Sequence, residues 1–72
     1  MNTTYITEDL PEDHFIRVCT YPEYPDVVEY YARYHITDGS VHGQDVSVGK
    51  RCYKTERAAR QAIALHAARM TH

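Results

Sequence analysis

The clearest pattern of apolar and polar positions runs from residue 27 to residue 36, VVEYYARYHI. Successive side chains of a strand point to opposite faces, so this stretch divides into two sets. The more apolar set consists of Val28, Tyr30, Ala32, Tyr34 and Ile36. The more polar set consists of Val27, Glu29, Tyr31, Arg33 and His35. The alternation predicts a half-buried strand whose apolar set faces the core.

A second strand is predicted before it, at residues 14–20, HFIRVCT, which are rich in β-branched and aromatic side chains. Ile16 and Val18 would share one face of this strand, with Arg17 on the other. The segment that follows, YPEYPD at residues 21–26, contains two prolines and an aspartate. These residue types interrupt a ladder of backbone hydrogen bonds and predict a turn.

A third strand is predicted at residues 41–48, after the hairpin signal Asp38-Gly39. A two-residue turn at this dipeptide would place Asp45 on the face beneath the helix and bury its carboxylate. A longer loop, or a bulge at Gly43, would bring Val46 and Val48 inward. We expect the second register, because it buries two valines and no carboxylate.

A helix is predicted near the end of the chain, at residues 54–70, KTERAARQAIALHAARM. Thr55 is suited to cap its first turn, and Glu56 places a negative charge near the positive end of the helix dipole. The apolar stripe recurs at helical spacing and consists of Ala59, Ala62, Ile63, His66 and Met70. His66 lies within this stripe, so we expect a core histidine with a hydrogen-bond partner.

Residues 1–13 have no period and carry four acidic side chains around Tyr5, Ile6 and Leu10. This composition predicts a flexible acidic tail, and residues 1–10 are expected to be dispensable for folding. The tail could dock onto a partner, stay disordered, or pack back on the domain. The predicted fold is therefore α+β: a three-stranded antiparallel sheet with one C-terminal helix (β-β-β-α), in a single domain at residues 14–72, and a flexible tail before it.

The charge of the 72-residue chain is unevenly distributed, although the net charge is only −2. Residues 1–30 hold seven acidic residues and one arginine, whereas residues 31–72 hold seven basic residues and three acidic ones. This asymmetry is explained either by a charged partner or by attraction between the two halves of the fold. Two cysteines are too few for a disulfide-rich scaffold, and no stretch is typical of a signal peptide or a membrane span, so we expect a cytoplasmic monomer.

Motifs of catalysis or metal binding are not found in the sequence. There is no phosphate-binding glycine loop, no zinc-ligand spacing and no nucleophile elbow. Acid–base catalysis needs two groups in a cleft whose surroundings give them different pKa values. A small sheet with one helix offers little room for such a cleft. We therefore expect no catalytic residue, no metal, no cofactor and no enzymatic activity.

The basic residues Lys50, Arg51, Lys54, Arg57 and Arg60 raise the possibility of nucleic-acid binding. The aromatic strand, the Asp-Gly turn, a second strand and the helix entry formed by Tyr53, Thr55 and Ala59 resemble the sheet-plus-helix domains of phage integrase arms and AP2-type DNA-binding proteins. That resemblance covers about half of the chain and implies that the open sheet face enters the major groove of DNA. Here, however, this face carries Glu29 on its central strand, and a negative charge at that place is unfavourable for binding DNA phosphates.

In length, tail and order of elements, the whole chain is similar to small phage-encoded transcription regulators of the Xanthomonas phage type, which bind host RNA polymerase. This resemblance implies a non-enzymatic regulator of the host bacterial cytoplasm that inhibits initiation and causes antitermination. The alternative is a small DNA-binding domain of the integrase-arm type, and a structural or toxin–antitoxin-like interaction module is a third possibility. The residues that we expect to contact a partner are Tyr5, Ile6, Leu10, Tyr31, Arg33, His35, Arg51, Lys54 and Arg57.

Overall fold

The computed structural model describes residues 1–36 and 43–70. Its elements in chain order are β1 (Asn2–Ile6), β2 (His14–Tyr21), β3 (Tyr24–Ile36), β4 (Gln44–Ser47) and α1 (Glu56–Met70). The strands form one antiparallel sheet in the order β1-β2-β3-β4, and α1 packs across β2 and β3. The α+β class and the C-terminal helix are confirmed. Within the described residues, no helix has the length and apolar character needed to cross a membrane.

The sheet has four strands, so the prediction of three is wrong. The additional strand is β1, which lies in the segment predicted to be a flexible tail and pairs with β2 from Asn2↔Thr20 to Ile6↔Ile16. Ile6 and Leu10 are half-buried and pack against the core. Of the three possibilities for this segment, packing back on the domain is the one that the structure shows.

The turn between β2 and β3 is also shorter than predicted, since Tyr21 already pairs with Tyr24. The register shifts between Thr20 and Tyr21, because Thr20 pairs with Val28. The bulged stretch of β3 that results contains Pro25, which has no N–H to donate to a ladder. Proline therefore lies within a strand here without breaking the pairing that follows it.

The register expected for the last strand is confirmed. Tyr34 pairs with Val46, and beyond the strand the Val48 N–H donates to the Ala32 carbonyl at 2.9 Å. Val48 is only 2% exposed, whereas Asp45 lies on the opposite face and is exposed. The Asp38-Gly39 turn lies outside the described residues.

The hydrophobic core lies between the sheet and α1. Its buried cluster consists of Ile16, Ala32, Val48, Ala59 and Ile63. The half-buried residues packed against this cluster are Ile6, Leu10, Val18, Tyr30, Tyr34, Tyr53 and Ala62. The faces predicted for the central strand and the helix are therefore confirmed, except that Met70 is 48% exposed at the end of α1.

The start of the helix is fixed by the residues that the sequence suggested. The Ala58 N–H donates to the Thr55 hydroxyl at 3.1 Å, which satisfies one of the free donors of the first turn. Just before the helix, Tyr53 exchanges two backbone hydrogen bonds with Tyr30, at 2.9 and 2.7 Å. Gly49 has a φ of +71°, and a Cβ there would collide with the Tyr53 hydroxyl, so this tight approach requires glycine.

Two histidines meet between the sheet and α1: His14 of β2 is buried, and His66 of the helix is half-buried. His14 Nδ1 donates to the Glu12 carbonyl at 2.8 Å, so its Nε2 is the acceptor for the His66 Nδ1–H at 2.9 Å. The Tyr34 ring lies 4.7 Å from the His14 ring and 5.1 Å from the His66 ring, measured between centroids. The expected hydrogen-bond partner of His66 is thus present, although His66 itself is half-buried and lies beside the core cluster.

This histidine pair predicts that stability falls in mild acid. Burial lowers the pKa of His66 from its ordinary value of 6.5, and electrostatic interactions with His14 and Arg69 lower it further. The unfolded chain then takes up a proton at a higher pH than the folded chain. The contribution of His66 to stability is complete above a pH of about 6.5 and is lost as the pH falls through the lower pKa of the folded state.

Urea unfolding at several pH values between about 7 and about 5 measures this effect. The variant His66→Phe has no group to protonate at position 66. We therefore expect its free energy of unfolding to depend less steeply on pH than that of the wild type. An equal dependence in both proteins would show that His66 is not the group responsible.

Candidate functional site

The face of the sheet opposite α1, here called the outer face, is not covered by any described element. The strand register aligns Tyr5, Arg17 and Tyr31 in one row across β1, β2 and β3. A second row contains Phe15, Arg33 and Ser47. Other side chains of this face include Thr3, Cys19, Tyr21, Glu29, His35 and Asp45. Aromatic and arginine side chains therefore occupy its centre.

The aromatic rings of the outer face contact one another and an arginine. The ring centroids of Tyr5 and Phe15 are 5.9 Å apart at an interplanar angle of 58°. The Arg17 Cζ lies 4.7 Å from the centroid of the Tyr31 ring, within the range of a cation–π interaction. Tyr5 is 62% exposed, so the row ends in a large side chain that is accessible to a partner.

Arg33 and His35, the two other predicted site residues of this face, make polar contacts with β4. Arg33 Nη1 donates to the Ser47 hydroxyl at 2.9 Å, and Nη2 donates to the Asp45 carbonyl at 3.3 Å. His35 Nδ1 lies 2.7 Å from a carboxylate oxygen of Asp45. The positions of Arg33 and His35 are therefore set within the sheet before any partner binds.

A polar cluster around Glu29 occupies the other end of the outer face. The hydroxyls of Tyr21 and Tyr31 both donate to Glu29 Oε1, the latter at 3.1 Å. The Cys52 thiol lies 3.9 Å from Oε2. Cys19, which pairs with Glu29 across the strands, is 3% exposed although no helix covers it. The large side chains around it thus form a packed layer of their own.

The electrostatics of this cluster keep its protonation fixed near neutral pH. Hydrogen bonds from Tyr21 and Tyr31 lower the pKa of Glu29, and nearby Arg51 lowers it further. The bond to Glu29 raises the pKa of Tyr21 to about 12. Burial, together with the same carboxylate, raises the pKa of Tyr31. All three groups titrate farther from neutrality than usual, which is the opposite of the tuning that proton transfer at neutral pH needs.

The structure brings together only part of the predicted set of site residues. Tyr5, Tyr31, Arg33 and His35 share the outer face, because β1 adds Tyr5 to the sheet. Ile6 pairs with Ile16 on the opposite face, and Leu10 packs beside it against the core. Partner contact by Ile6 and Leu10 stays a prediction.

The three basic residues of the predicted set lie around the start of the helix. Arg51 is exposed and close enough to Glu29 to affect its pKa. Lys54 lines a surface groove together with Asp26 and Glu29. Arg57 is exposed on α1, which packs on the other face of the sheet. Only Arg51 and Lys54 thus border the Glu29 end of the outer face.

Several residues of the outer face are absent from the predicted set. They are Phe15, Arg17, Tyr21, Glu29 and Cys52. Alternation alone placed Arg17 and Glu29 opposite the core, so these two could have been included. Tyr21 and Cys52 join the cluster only through the short hairpin and the Tyr30–Tyr53 pairing, which no local pattern indicates.

The described residues contain no group of three or more histidine, cysteine, aspartate or glutamate side chains that could hold a metal ion. Comparison of the chain with protein-family models, with curated proteins and with solved structures finds no match.

Proposed function

We propose that this chain is a non-enzymatic binding protein that docks a protein partner on the outer face of its sheet. The observation that carries the proposal is the row of Tyr5, Arg17 and Tyr31 across three strands, with Phe15 and Arg33 beside it. Tyrosine and arginine are enriched among the residues that dominate the energy of protein interfaces. Their fixed positions on a sheet reduce the entropy that binding must cost.

The charge of the outer face favours a protein over duplex DNA. Arg17 and Arg33 are accompanied by Glu29 and Asp45, so formal charges cancel across the face. Phosphate binding depends on an excess of lysine and arginine. The exposed basic residues Arg51 and Lys54 lie at its border and could instead speed association with an acidic partner.

The directions of the pKa shifts support a role without catalysis. Glu29 stays ionised, and the Tyr21 and Tyr31 hydroxyls stay protonated, over a wider pH range than in the free amino acids. Such a cluster stabilises a surface and does not exchange protons near neutral pH.

The partner that we propose is bacterial RNA polymerase, on the basis of the resemblance in length and layout to phage regulators of transcription. Binding would inhibit or redirect transcription by the host enzyme. The outer face contributes the contact surface to this proposal, and the resemblance contributes the identity of the partner.

The test is capture of purified bacterial RNA polymerase by the immobilised chain at physiological salt. We expect Tyr5→Ala and Arg33→Ala each to weaken capture about tenfold or more, because both side chains belong to the outer face. Leu65→Ala, which removes a 60% exposed side chain from the helix, is the control and should bind like the wild type.

Circular dichroism of each variant verifies that the fold is retained. Equal capture by Tyr5→Ala, Arg33→Ala and the wild type would show that the outer face is not the interface. Tight binding of random duplex DNA that charge reversal at Arg51 and Lys54 abolishes would favour the integrase-arm alternative.

A further inference from the structure

Arg17 occupies the middle of the outer face. It lies on β2 between Tyr5 of β1 and Tyr31 of β3, and the ring of Tyr31 supports its guanidinium group. The side chain is only half-buried, so part of it is accessible from the open side of the sheet.

The guanidinium of Arg17 has no hydrogen-bond acceptor among the described residues. Its Nε is buried and unsatisfied. No described carboxylate forms an ion pair with it, since the ion pairs there are His35–Asp45 and Glu56–Arg60. A buried donor without an acceptor is rare in folded proteins and calls for an explanation.

The other charged groups of this face bond to residues other than Arg17. Glu29 accepts hydrogen bonds from Tyr21 and Tyr31, and the Cys52 thiol approaches its second oxygen. Arg33, the other arginine of the face, is already bound to Ser47 and to the Asp45 carbonyl. Of the two arginines at the centre of this face, Arg17 is therefore the one whose guanidinium has no described acceptor.

We infer that Arg17 is the receptor for a carboxylate on an extended acidic segment of the protein partner. The inference rests on the proposed function and names the chemistry of the partner at one point. A planar guanidinium can donate two parallel hydrogen bonds to a carboxylate. The Tyr31 ring, 4.7 Å from Cζ, supports the guanidinium on one side. Although formal charges cancel over the whole face, no described carboxylate is paired with Arg17 itself, so a carboxylate of an acidic segment complements this one guanidinium.

The experiment follows the Nε–H resonance of Arg17 in ¹⁵N-labelled protein by NMR. The probes are a short peptide of alternating serine and glutamate and the same peptide with glutamine in place of glutamate. We expect the glutamate peptide to shift this resonance and to bind about tenfold or more tightly than the glutamine peptide. Equal binding of the two peptides to the wild type would overturn the inference without the use of any variant.

Two variants locate the effect. Arg17→Gln should remove the preference for the glutamate peptide, whereas Arg69→Gln, on the exposed end of the helix, should keep it. A preference that persists in a folded Arg17→Gln protein would overturn the inference. A single-stranded oligonucleotide or inorganic phosphate that shifts the resonance at lower concentration than the glutamate peptide would also overturn it, in favour of phosphate recognition.

These results are independent of polymerase capture. Loss of capture in Tyr5→Ala without any preference between the peptides would retain the proposed function and remove the carboxylate receptor. A clear preference for the glutamate peptide without capture of polymerase would retain the carboxylate receptor and remove polymerase as the partner.

Discussion

Replacing Ile63 by alanine is expected to lower the free energy of unfolding by about 2–4 kcal/mol. Ile63 is fully buried and belongs to the cluster that joins α1 to the sheet. Truncation removes apolar contacts and leaves a cavity, since a sheet and a helix cannot close around the missing atoms at no cost. A small domain has a total stability of about 5–15 kcal/mol, so this loss is a large fraction of the whole.

Urea and thermal unfolding measure the Ile63→Ala effect, with Leu65→Ala as the matched control on the same helix. Leu65 is 60% exposed, so its truncation should change stability by less than about 0.5 kcal/mol. A melting temperature of Ile63→Ala equal to that of the wild type would contradict the assignment of the helix face.

The parts of the fold that sequence could predict are those encoded by local periodicity. The alternation from Val28 to Ile36 gave both faces of the central strand, and helical spacing gave Ala59 and Ile63 as the buried positions of α1. The cap at Thr55 was predictable because one side chain and the following turn contain the whole interaction.

The parts that sequence could not predict depend on pairing between distant segments. Residues 2–6 contain no marked alternation, and they form a strand because β2 offers a free edge and Ile6 meets Ile16. Tertiary context decides such weak segments. The Glu29 cluster is of the same kind, since Tyr21 and Cys52 reach one carboxylate from two separate parts of the chain.

Only part of the candidate site could be predicted from the sequence, for the same reason. Tyr31 and Arg33 could be assigned to the open face from one strand alone. Arg17 became notable only when the structure showed a guanidinium that stacks on Tyr31 and has a buried Nε without an acceptor. The type of residue was visible in the sequence, but the missing partner was not.

Removal of residues 1–10 is expected to destabilise the fold by about 3 kcal/mol or more, although their composition suggested a dispensable tail. The truncation removes the β1–β2 ladder and takes Ile6 and Leu10 away from the core. It also removes the Glu8 carbonyl, to which Arg60 Nη1 donates at 3.3 Å. The newly exposed edge of β2 would then present unpaired backbone groups to solvent and to other chains.

The full-length double variant Ile6→Ser with Leu10→Ser separates the two sources of this stability. It keeps the backbone of β1 but loses its apolar contacts, so its free energy of unfolding should lie between those of the wild type and the truncated chain. Amide hydrogen exchange in β2 reports the ladder directly, because protection on the side facing β1 depends on that strand. If the truncated chain unfolds at the same urea concentration as the wild type, β1 contributes nothing to stability and residues 1–10 behave as a tail after all.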